Sequence, residues 1–439
     1  MMRHLRRVLL SLVLLAALVP AQDSVRALTI LHTNDLHARL LPDSTGRGGW
    51  AYLATAIRQE RSGCDSCLLL NAGDLVEGTP VSTLFHGVAE YEIANRFGFD
   101  ASTLGNHEFD FGWEMIPKFL KLARFPVVLA NVVDGQGRLL APQPYLIQRV
   151  NGIRVAVIGI VMDNLLDLST PDRMGPWRTL PVIETLRKYA AELRDRSDLI
   201  VALSHLGVKE GREILCQIPE VAAVVSGHPH QGLQTAEECN GHPHVEVAGY
   251  GRELGRLDIR VDLRTKKLVS WTWKRIPIDS KTIPPAQDVA ALVSEWEAKV
   301  SKVVDVPIGE AKRDILQPEM KRLLEQAMAE EMGADFAYMS AGGVRDRLPQ
   351  GPLLARHVWN VMPFDNQVVM GKFKGSQLPA AVTAGRSIDP QREYKLAVAD
   401  FTAINQKTQL GVTGLEFPVT GPLLRNLLID WIKKRKVIE

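Results

Sequence analysis

The first half of the chain alternates between two patterns of apolar residues. Short unbroken apolar runs, such as residues 28–31, are typical of strands buried on both faces. Between these runs lie segments whose apolar positions recur at helical spacing, such as residues 48–62 and 180–197. Strands that alternate with helices predict an α/β fold, and residues 245–275 then predict antiparallel strands. A further strand is predicted over residues 125–133.

The pattern changes after residue 275. Residues 276–288 are rich in proline and polar side chains, which predicts a linker, and residues 289–304 return to helical spacing. We therefore expect a first domain over residues 22–275, a linker and helix over 276–303, and a smaller second domain over 304–439.

The N-terminus resembles an export signal. Residues 1–21 begin with basic side chains, continue with an apolar run from Val8 to Val19 and end at Ala21. This order is typical of a signal peptide cleaved after Ala21, because the run is short for a membrane span; an uncleaved anchor is the alternative. No later stretch reaches about 18 apolar residues. The mature chain is therefore expected in the periplasm or the extracellular medium, without a stable membrane span.

Charge and cysteine content exclude some classes of function. The formal net charge is +2, and removal of residues 1–21 takes three arginines away, so neither a nucleic-acid polymer nor an acidic membrane is an expected partner. We expect a monomer that acts on a small molecule. The four cysteines allow two disulfides, Cys64–Cys67 and Cys216–Cys239, and free thiols are the alternative.

Five predicted strands end in residues that can bind metal ions. The carboxyl ends of parallel strands meet at one edge of a sheet, so these side chains should gather there. Oxygen and imidazole ligands without thiolates suit two divalent ions, with Zn²⁺ or Mn²⁺ most expected and Co²⁺, Fe²⁺ or Mg²⁺ as alternatives. The candidate ligands are Asp35, His37, Asp74, Asn106, His205, His228 and His230.

Each candidate also has a simpler interpretation. An Asp after a strand is often a turn or helix-cap residue, and a single His is often a core residue. The sequence His-Pro-His occurs twice, at residues 228–230 and 242–244. Only the first copy follows a predicted strand directly, so we assign the metal to that copy. Asp74 follows Gly73 in a tight turn, which suits a carboxylate that bridges two ions.

The segment TLGNHEFDFG, residues 103–112, adds acid–base chemistry to these ligands. His107 can exchange a proton near neutral pH, and Asp110 can orient its ring. We expect His107 and Asp110 to be catalytic and Glu108 to be a structural residue of the loop.

Taken together, the motifs DxH, GDxxxG, GNHE, SH and GHxH resemble the calcineurin-like metallophosphoesterases, and segments such as NAGDLVEGTP resemble their 5′-nucleotidase branch. The resemblance implies a two-sheet sandwich flanked by helices in α/β/β/α layers, followed by a smaller α+β substrate-binding domain. It implies one ion on Asp35, His37, Asp74 and His230, and a second ion on Asp74, Asn106, His205 and His228.

The second domain resembles the family less completely. AGGVRDRL and VMPFDNQVV are similar to its substrate-binding segments, which implies that Arg345 binds phosphate or ribose and that Phe364 and Asn366 contact the base. Phe401 is the candidate for a second aromatic clamp residue. Asp365 replaces a residue that is usually small, and the GGD-type loop that holds the ribose is absent.

The expected function is hydrolysis of 5′-nucleotides or related phosphoesters, by attack of metal-activated hydroxide on phosphorus. Alternatives with another leaving group are a 2′,3′-cyclic-nucleotide phosphodiesterase, a UDP-sugar hydrolase and a thiosulfohydrolase-like enzyme. A catalytically silent secreted binding protein is an alternative of another class. Such a protein should have lost at least one of the seven candidate ligands, and this sequence retains all of them.

Overall fold

The computed structural model describes residues 24–439. The predicted signal peptide, residues 1–21, lies outside the described residues. Within the part of the chain that is described, no helix combines the length and the apolar character that a membrane span requires.

The first domain is built on two facing β-sheets. In the first sheet, strand Val25–Thr33 is parallel to Cys67–Asn71 and antiparallel to Glu253–Asp262. The antiparallel pairing predicted over residues 245–275 is confirmed. In spatial order the strands of this sheet are Lys267–Pro277, Glu253–Asp262, Val25–Thr33, Cys67–Asn71 and Ala101–Ser102.

The second sheet has a parallel centre. Strand Leu199–His205 lies between Ile153–Val161 and Ala223–Val225 and is parallel to both. Helices connect these strands, as parallel pairing requires. In spatial order the strands of this sheet are Glu237–Cys239, His242–Val245, Ala223–Val225, Leu199–His205, Ile153–Val161 and Tyr145–Val150.

Apolar side chains divide the first domain into layers. Successive residues of a strand point to opposite faces, so Ile30 packs between the sheets whereas Leu31 packs towards the outer helices. Helix Val182–Leu193 covers the second sheet because its buried residues recur every three or four positions. The α/β/β/α sandwich is confirmed. The α-helices of this domain are Trp50–Ser62, Pro80–Phe85, Val88–Ala94, Ile116–Leu122, Pro171–Met174, Val182–Leu193 and Val208–Gln217.

The strand predicted over residues 125–133 is wrong for most of its length. Only Val132–Val133 is regular strand. The preceding residues leave the first sheet beside Ser102, and the amide of Ala130 donates to the carbonyl of Gly159 in the second sheet. This segment crosses from one sheet to the other, so no single neighbouring strand can hydrogen-bond to it along its whole length. Its apolar residues are therefore buried without forming a continuous strand.

The second domain mixes small sheets with helices, as predicted for an α+β domain. Its central strand, Gln367–Lys374, lies between two antiparallel neighbours. The strands are Pro307–Ala311, Phe336–Tyr338, Gly351–Leu354, Gln367–Lys374, Glu393–Ala399, Val419–Leu423 and Val437–Ile438. The α-helices are Gln317–Met332, Ala355–Val361, Ala380–Thr383, Asp400–Ile404, Gln406–Leu410 and Leu424–Arg435.

The segment predicted as a linker is hydrogen-bonded to the first domain. The amide of Gly48 donates to the carbonyl of Ile278, and the amide of Ala286 donates to the carbonyl of Ala51. The helix that follows, Gln287–Val304, buries one apolar face in the core of the first domain. The chain passes to the second domain after this helix, and the exact domain limits stay predictions.

Both candidate cysteine pairs form disulfides, Cys64–Cys67 and Cys216–Cys239. The second joins residues 23 positions apart, whereas the first joins residues three apart. A longer loop restricts the unfolded chain more, so the second disulfide should contribute more to stability.

We expect the double substitution C216S/C239S to lower the free energy of unfolding by about 3 kcal/mol. The disulfide restricts the conformational entropy of the unfolded chain, and a closed loop of this length corresponds to a free energy of that size. Thermal unfolding under non-reducing conditions measures the change. C64S/C67S is the matched control and should have a smaller effect. An equal fall in Tm for both variants would contradict the loop-length argument.

Candidate active site

The seven predicted ligands meet at one edge of the sandwich. Asp35 and His37 follow strand Val25–Thr33 of the first sheet. Asp74 follows its parallel neighbour Cys67–Asn71, and Asn106 follows Ala101–Ser102, which is parallel to Cys67–Asn71. His205 ends a strand of the second sheet, and His228 and His230 follow the next one. Because these strands are parallel, their carboxyl ends lie together. All seven side chains are at least partly buried.

Four of these side chains form one compact group. The candidate ligand atoms of Asp35, His37, Asp74 and His230 all lie within 4.8 Å of one another. His37 Nε2 is 2.9 Å from His230 Nε2 and 3.6 Å from Asp74 Oδ2. Nitrogen and carboxylate oxygen atoms that converge on one point in this way could hold a divalent ion.

The remaining three predicted ligands lie beside Asp74 or beside one another. His205 Nε2 lies 3.0 Å from Asp74 Oδ2, and His228 Nδ1 lies 3.1 Å from Asn106 Oδ1. The rings of His205 and His228 are 5.4 Å apart. Asp74 Oδ2 therefore lies near one histidine of each group, His37 and His205, and its role as a shared carboxylate stays a prediction.

Backbone strain accompanies this convergence. Asp35, His37 and Asp74 have φ of 50°, 46° and 53°, in the left-handed region that favours glycine. Gly105 leaves room for the cluster, because a Cβ atom there would lie 2.1 Å from Asp74 Oδ1. Strain of this kind persists only where the surrounding contacts enforce it.

Glu108 supplies part of that enforcement. Its buried carboxylate accepts hydrogen bonds from the backbone amides of Asp74, Leu75 and Gly105, at 3.2, 2.8 and 2.6 Å. It thus ties the loop of Asp74 to the loop of Asn106. This arrangement agrees with the structural role expected for Glu108.

Charge in the cluster favours a cation. Burial alone would lower the pKa of His205, yet the nearby carboxylates of Asp74 and Asp35 raise it to about 10. Burial would raise the pKa of Asp35, but hydrogen bonds from His230 and His37 hold it well below its usual range. Burial lowers the pKa of His37 to about 3, so its imidazole is neutral. Charged carboxylates beside a neutral imidazole are the donor set of a zinc-like site.

Neighbouring groups orient two of the imidazoles. His205 Nδ1 donates to the carbonyl of Ala72 at 2.7 Å, which leaves Nε2 directed at Asp74. The Tyr250 hydroxyl lies 3.0 Å from His230 Nδ1, and His230 Nε2 is directed at Asp35, with Oδ1 at 3.3 Å. Tyr250 was missed by the sequence analysis of site residues, because its contact with His230 depends on the fold of two loops.

His107 and Asp110 form a hydrogen-bonded pair beside the ligands. His107 Nδ1 donates to Asp110 Oδ2 at 2.6 Å, and the His107 backbone amide donates to Asp74 Oδ1 at 3.0 Å. Burial opposes the charged imidazolium, but Asp110 and Asp74 outweigh it, so the pKa of His107 is raised. The pair is thus set to keep a proton on the ring.

The second domain reaches this pair directly. The ring of Phe364 stacks on the ring of His107, with centroids 5.9 Å apart and planes 18° apart. The guanidinium of Arg345 lies 5.6 Å from the centre of the same Phe364 ring. Phe364 therefore contacts the expected catalytic histidine with one ring face, which the sequence did not predict.

The four predicted substrate residues lie around one cavity of about 300 Å³ between the domains. Asn366 and Phe401 are held at its wall by Asp400, which accepts the Asn366 amide at 2.8 Å and the Phe401 backbone amide at 2.7 Å. The same cavity contains His107 and His228, so the expected substrate residues face the candidate metal site.

Asp365 has a clear structural partner. The buried side chain of Arg425 forms an ion pair with it and donates to the carbonyls of Pro363 and Phe364. This contact fixes the turn that carries Phe364, so an acidic residue at position 365 is accommodated by Arg425.

Comparison with known proteins identifies two domains in the chain. Residues 28–232 match the calcineurin-like phosphoesterase family, and residues 301–384 match the 5′-nucleotidase C-terminal domain. The chain is 29% identical to protein UshA of Yersinia enterocolitica in an alignment that covers 95% of this chain and 93% of UshA. The chain carries a calcineurin-like phosphoesterase domain followed by a 5′-nucleotidase C-terminal domain. With these domains it is a phosphoester hydrolase, and the predicted enzyme class is confirmed.

Solved structures agree with the 5′-nucleotidase fold. A 5′-nucleotidase precursor from Thermus thermophilus superimposes with a TM-score of 0.85 at 24% identity, covering 94% of this chain and 97% of that one. The sulfate thiohydrolase SoxB from the same organism has a TM-score of 0.83 at 17% identity, with 95% of both chains covered. At these identities the likeness concerns the fold alone.

One acidic side chain beside the His107–Asp110 pair was missed by the sequence analysis. Glu77 is buried with φ of 68°, and its Oε1 atom has no hydrogen-bond partner among the described residues. Burial raises the pKa of Glu77 to about 8, and the charge of Asp110 adds to this effect while His107 and Arg345 oppose it. Only its position in GDLVEG, three residues after Asp74, could have drawn attention to it.

We expect Glu77→Gln to stabilise the protein increasingly as the pH rises from about 5 to about 8. The wild-type carboxyl holds its proton more tightly in the folded state, so folding loses stability between the ordinary pKa of 4.5 and the raised value of about 8. The uncharged amide removes this loss. Thermal unfolding at pH 5 and pH 8.5 measures the gap in Tm. The exposed Glu92→Gln is the control, and a gap that does not widen with pH would contradict the prediction.

Proposed function

We propose that the protein is an exported hydrolase that uses two divalent ions to cleave 5′-nucleotides or related phosphoesters. The observation that carries this proposal is the convergence of Asp74 and the other six candidate ligands at one site, with the His107–Asp110 pair beside them. The proposed sets are Asp35, His37, Asp74 and His230 for one ion, and Asp74, Asn106, His205 and His228 for the other. Zinc or manganese is expected.

When bound, two such ions lower the pKa of a water molecule and neutralise phosphoryl oxygens during in-line displacement. The side chains of this chain supply the rest. Asp110 accepts the Nδ1 proton of His107, so His107 Nε2 is available to donate a proton to the leaving oxygen. Stacking on Phe364 holds the ring of His107 in position.

Arg345 is the proposed contact to the substrate from the second domain. Its Nε and Nη2 atoms are buried without a hydrogen-bond partner among the described residues, so they are available to substrate oxygens. A guanidinium binds phosphate or ribose oxygens through two parallel hydrogen bonds. Asn366 and Phe401 would contact the remainder of the leaving group in the same cavity.

A direct experiment tests the proposal. Purified protein with Mn²⁺ or Zn²⁺ should hydrolyse p-nitrophenyl phosphate, lose this activity with a chelator and regain it with added metal. Elemental analysis should find two ions per chain. A silent binding protein is the competing possibility, and its prediction is no metal-dependent turnover at all. That result would overturn the proposed function.

The substrate class requires a second measurement. Rates on AMP, UDP-glucose, 2′,3′-cyclic AMP and a sugar phosphate would separate the 5′-nucleotidase assignment from the alternatives with another leaving group. We expect AMP to be hydrolysed, although Phe364 stacks on His107 and is not free on both faces for a nucleobase. Equal rates on all four compounds would show that the second domain does not select nucleosides.

A further inference from the structure

A segment of the first domain forms one side of the substrate cavity. It contains a short 3₁₀ helix, Leu165–Leu168, and the helical turn Pro171–Met174. Leu168 and Arg173 line the cavity together with Phe364 and Phe401 of the second domain. None of the sequence motifs that identify the family lies in this segment.

The position of Arg173 is fixed by its neighbours. Met174 is buried, and Gly175 has φ of 55°. A Cβ atom on Gly175 would lie 2.2 Å from Trp113 Nε1, so this turn packs closely on the loop that follows His107 and Asp110. On the other side, the Asn405 amide of the second domain donates to the carbonyl of Ser169 at 3.2 Å.

The guanidinium of Arg173 is partly exposed on the cavity wall, where its donors are available to a ligand. Its side chain is only 24% exposed, and its nearest charged atom is Asp110 Oδ1, 3.7 Å from Nη1. That separation exceeds a hydrogen bond, and Asp110 already accepts the proton of His107 through Oδ2. An arginine has five N–H donors, and no hydrogen bond to any described residue occupies those of Arg173.

The rest of the cavity wall indicates what Arg173 can bind. Asp110 is the sole carboxylate on the described wall, and His107 engages it. Arg173 and Arg345 are both on this wall, so the space beside the leaving group carries an excess of positive charge. A leaving group with its own negative charge would satisfy the free donors of Arg173, whereas an uncharged leaving group would leave them without a charged partner.

We propose that Arg173 is a specificity-determining residue that binds an anionic group on the leaving-group side of the substrate. The favoured substrates are phosphoesters whose leaving group carries a carboxylate or a second phosphate. This inference rests on the proposed phosphoester hydrolysis and names its substrate class. Arg173 would bind the charged substrate directly, which affects only substrates with an anionic leaving group. Its long ion pair with Asp110 would affect all substrates alike.

Matched pairs of substrates test the proposal on the purified full chain. Glycerol 1-phosphate and 3-phosphoglycerate differ in whether the leaving group carries a carboxylate, and fructose 6-phosphate and fructose 1,6-bisphosphate differ by a second phosphate. In the wild type, kcat/KM should be at least about tenfold higher for the substrate with the charged leaving group in one of the pairs. The pair that shows this preference tells whether Arg173 favours a carboxylate or a second phosphate.

Arg173→Gln should lower this charged-to-neutral ratio of kcat/KM by about tenfold or more, mainly through KM for the charged substrate. Arg173→Lys should recover part of the ratio. Arg178→Gln is the matched control, because Arg178 is exposed on the short strand Arg178–Thr179, and it should leave the ratio unchanged. Because the ratio compares two substrates of one variant, a general effect through Asp110 cancels.

Two results would overturn the inference. One is a wild type without preference for either charged substrate, and the other is an Arg173→Gln variant that slows both members of a pair equally. Both results include metal-dependent turnover of the neutral substrates, so they leave the proposed function intact. Failure of the proposed function would instead appear as no turnover of any phosphoester.

Discussion

Replacing Asp74 with asparagine should lower kcat/KM on p-nitrophenyl phosphate by about 10³-fold or more. Asp74 Oδ2 lies 3.0 Å from His205 Nε2 and 3.6 Å from His37 Nε2, so one carboxylate serves both proposed metal sites. An amide keeps the shape of the side chain but loses its charge and one acceptor oxygen. Loss of several kcal/mol of charge stabilisation corresponds to a rate change of this size.

The measurement combines steady-state kinetics with metal content. The Asp74→Asn variant should retain fewer than two ions per chain after gel filtration, with unchanged far-UV circular dichroism. Asp195→Asn, at an exposed position of the same domain, is the matched control. Full metal content and a rate within tenfold of the wild type would contradict the shared-carboxylate assignment.

Replacing His107 with alanine is the second change with a large expected effect. We expect kcat to fall by about 10²–10⁴-fold, the usual contribution of a positioned acid or base, while the metal content stays at the wild-type value. The metal content should not change because His107 is not one of the proposed ligands. Its Nδ1 atom is hydrogen-bonded to Asp110 instead. Asp110→Asn should cause a smaller fall, because it perturbs the orientation of His107 without removing the ring.

His242→Ala is the matched control for this prediction. His242 belongs to the second His-Pro-His copy, and its Nδ1 donates to the carbonyl of Val221 at 2.7 Å, away from the ligand cluster. Its removal should leave kcat unchanged. If His107→Ala loses its metal ions as well as its activity, then His107 is a ligand and the proposed division of roles is wrong.

The contact between Phe364 and His107 changes how the second domain is understood. The family resemblance presents the second domain as a site for the leaving group, yet here its aromatic residue stacks on the histidine proposed to donate the proton. Arg425 holds the turn that carries Phe364 through the backbone carbonyls of residues 363 and 364. The two domains thus contact each other at the proposed catalytic histidine as well as around the cavity.

Much of the fold could be predicted from local patterns. The apolar run of strand Val25–Thr33 and the helical spacing of Val182–Leu193 are properties of neighbouring residues, and both elements formed as expected. The strand predicted over residues 125–133 failed because its backbone partners, in two different sheets, are distant in sequence. The packing of residues 276–288 on the first domain depends on equally distant partners.

The sequence by itself determined, in broad outline, where strands and helices follow one another along the chain. It also determined which side chains gather at one edge of the sheets. It could do so because a residue at the carboxyl end of a parallel strand has its place set by that strand. Only the tertiary structure decided the contacts of His230 with Tyr250, of His107 with Phe364 and of Asp110 with Arg173. These pairs lie 20 to more than 250 positions apart, and no local pattern of apolar and polar residues records such a distance.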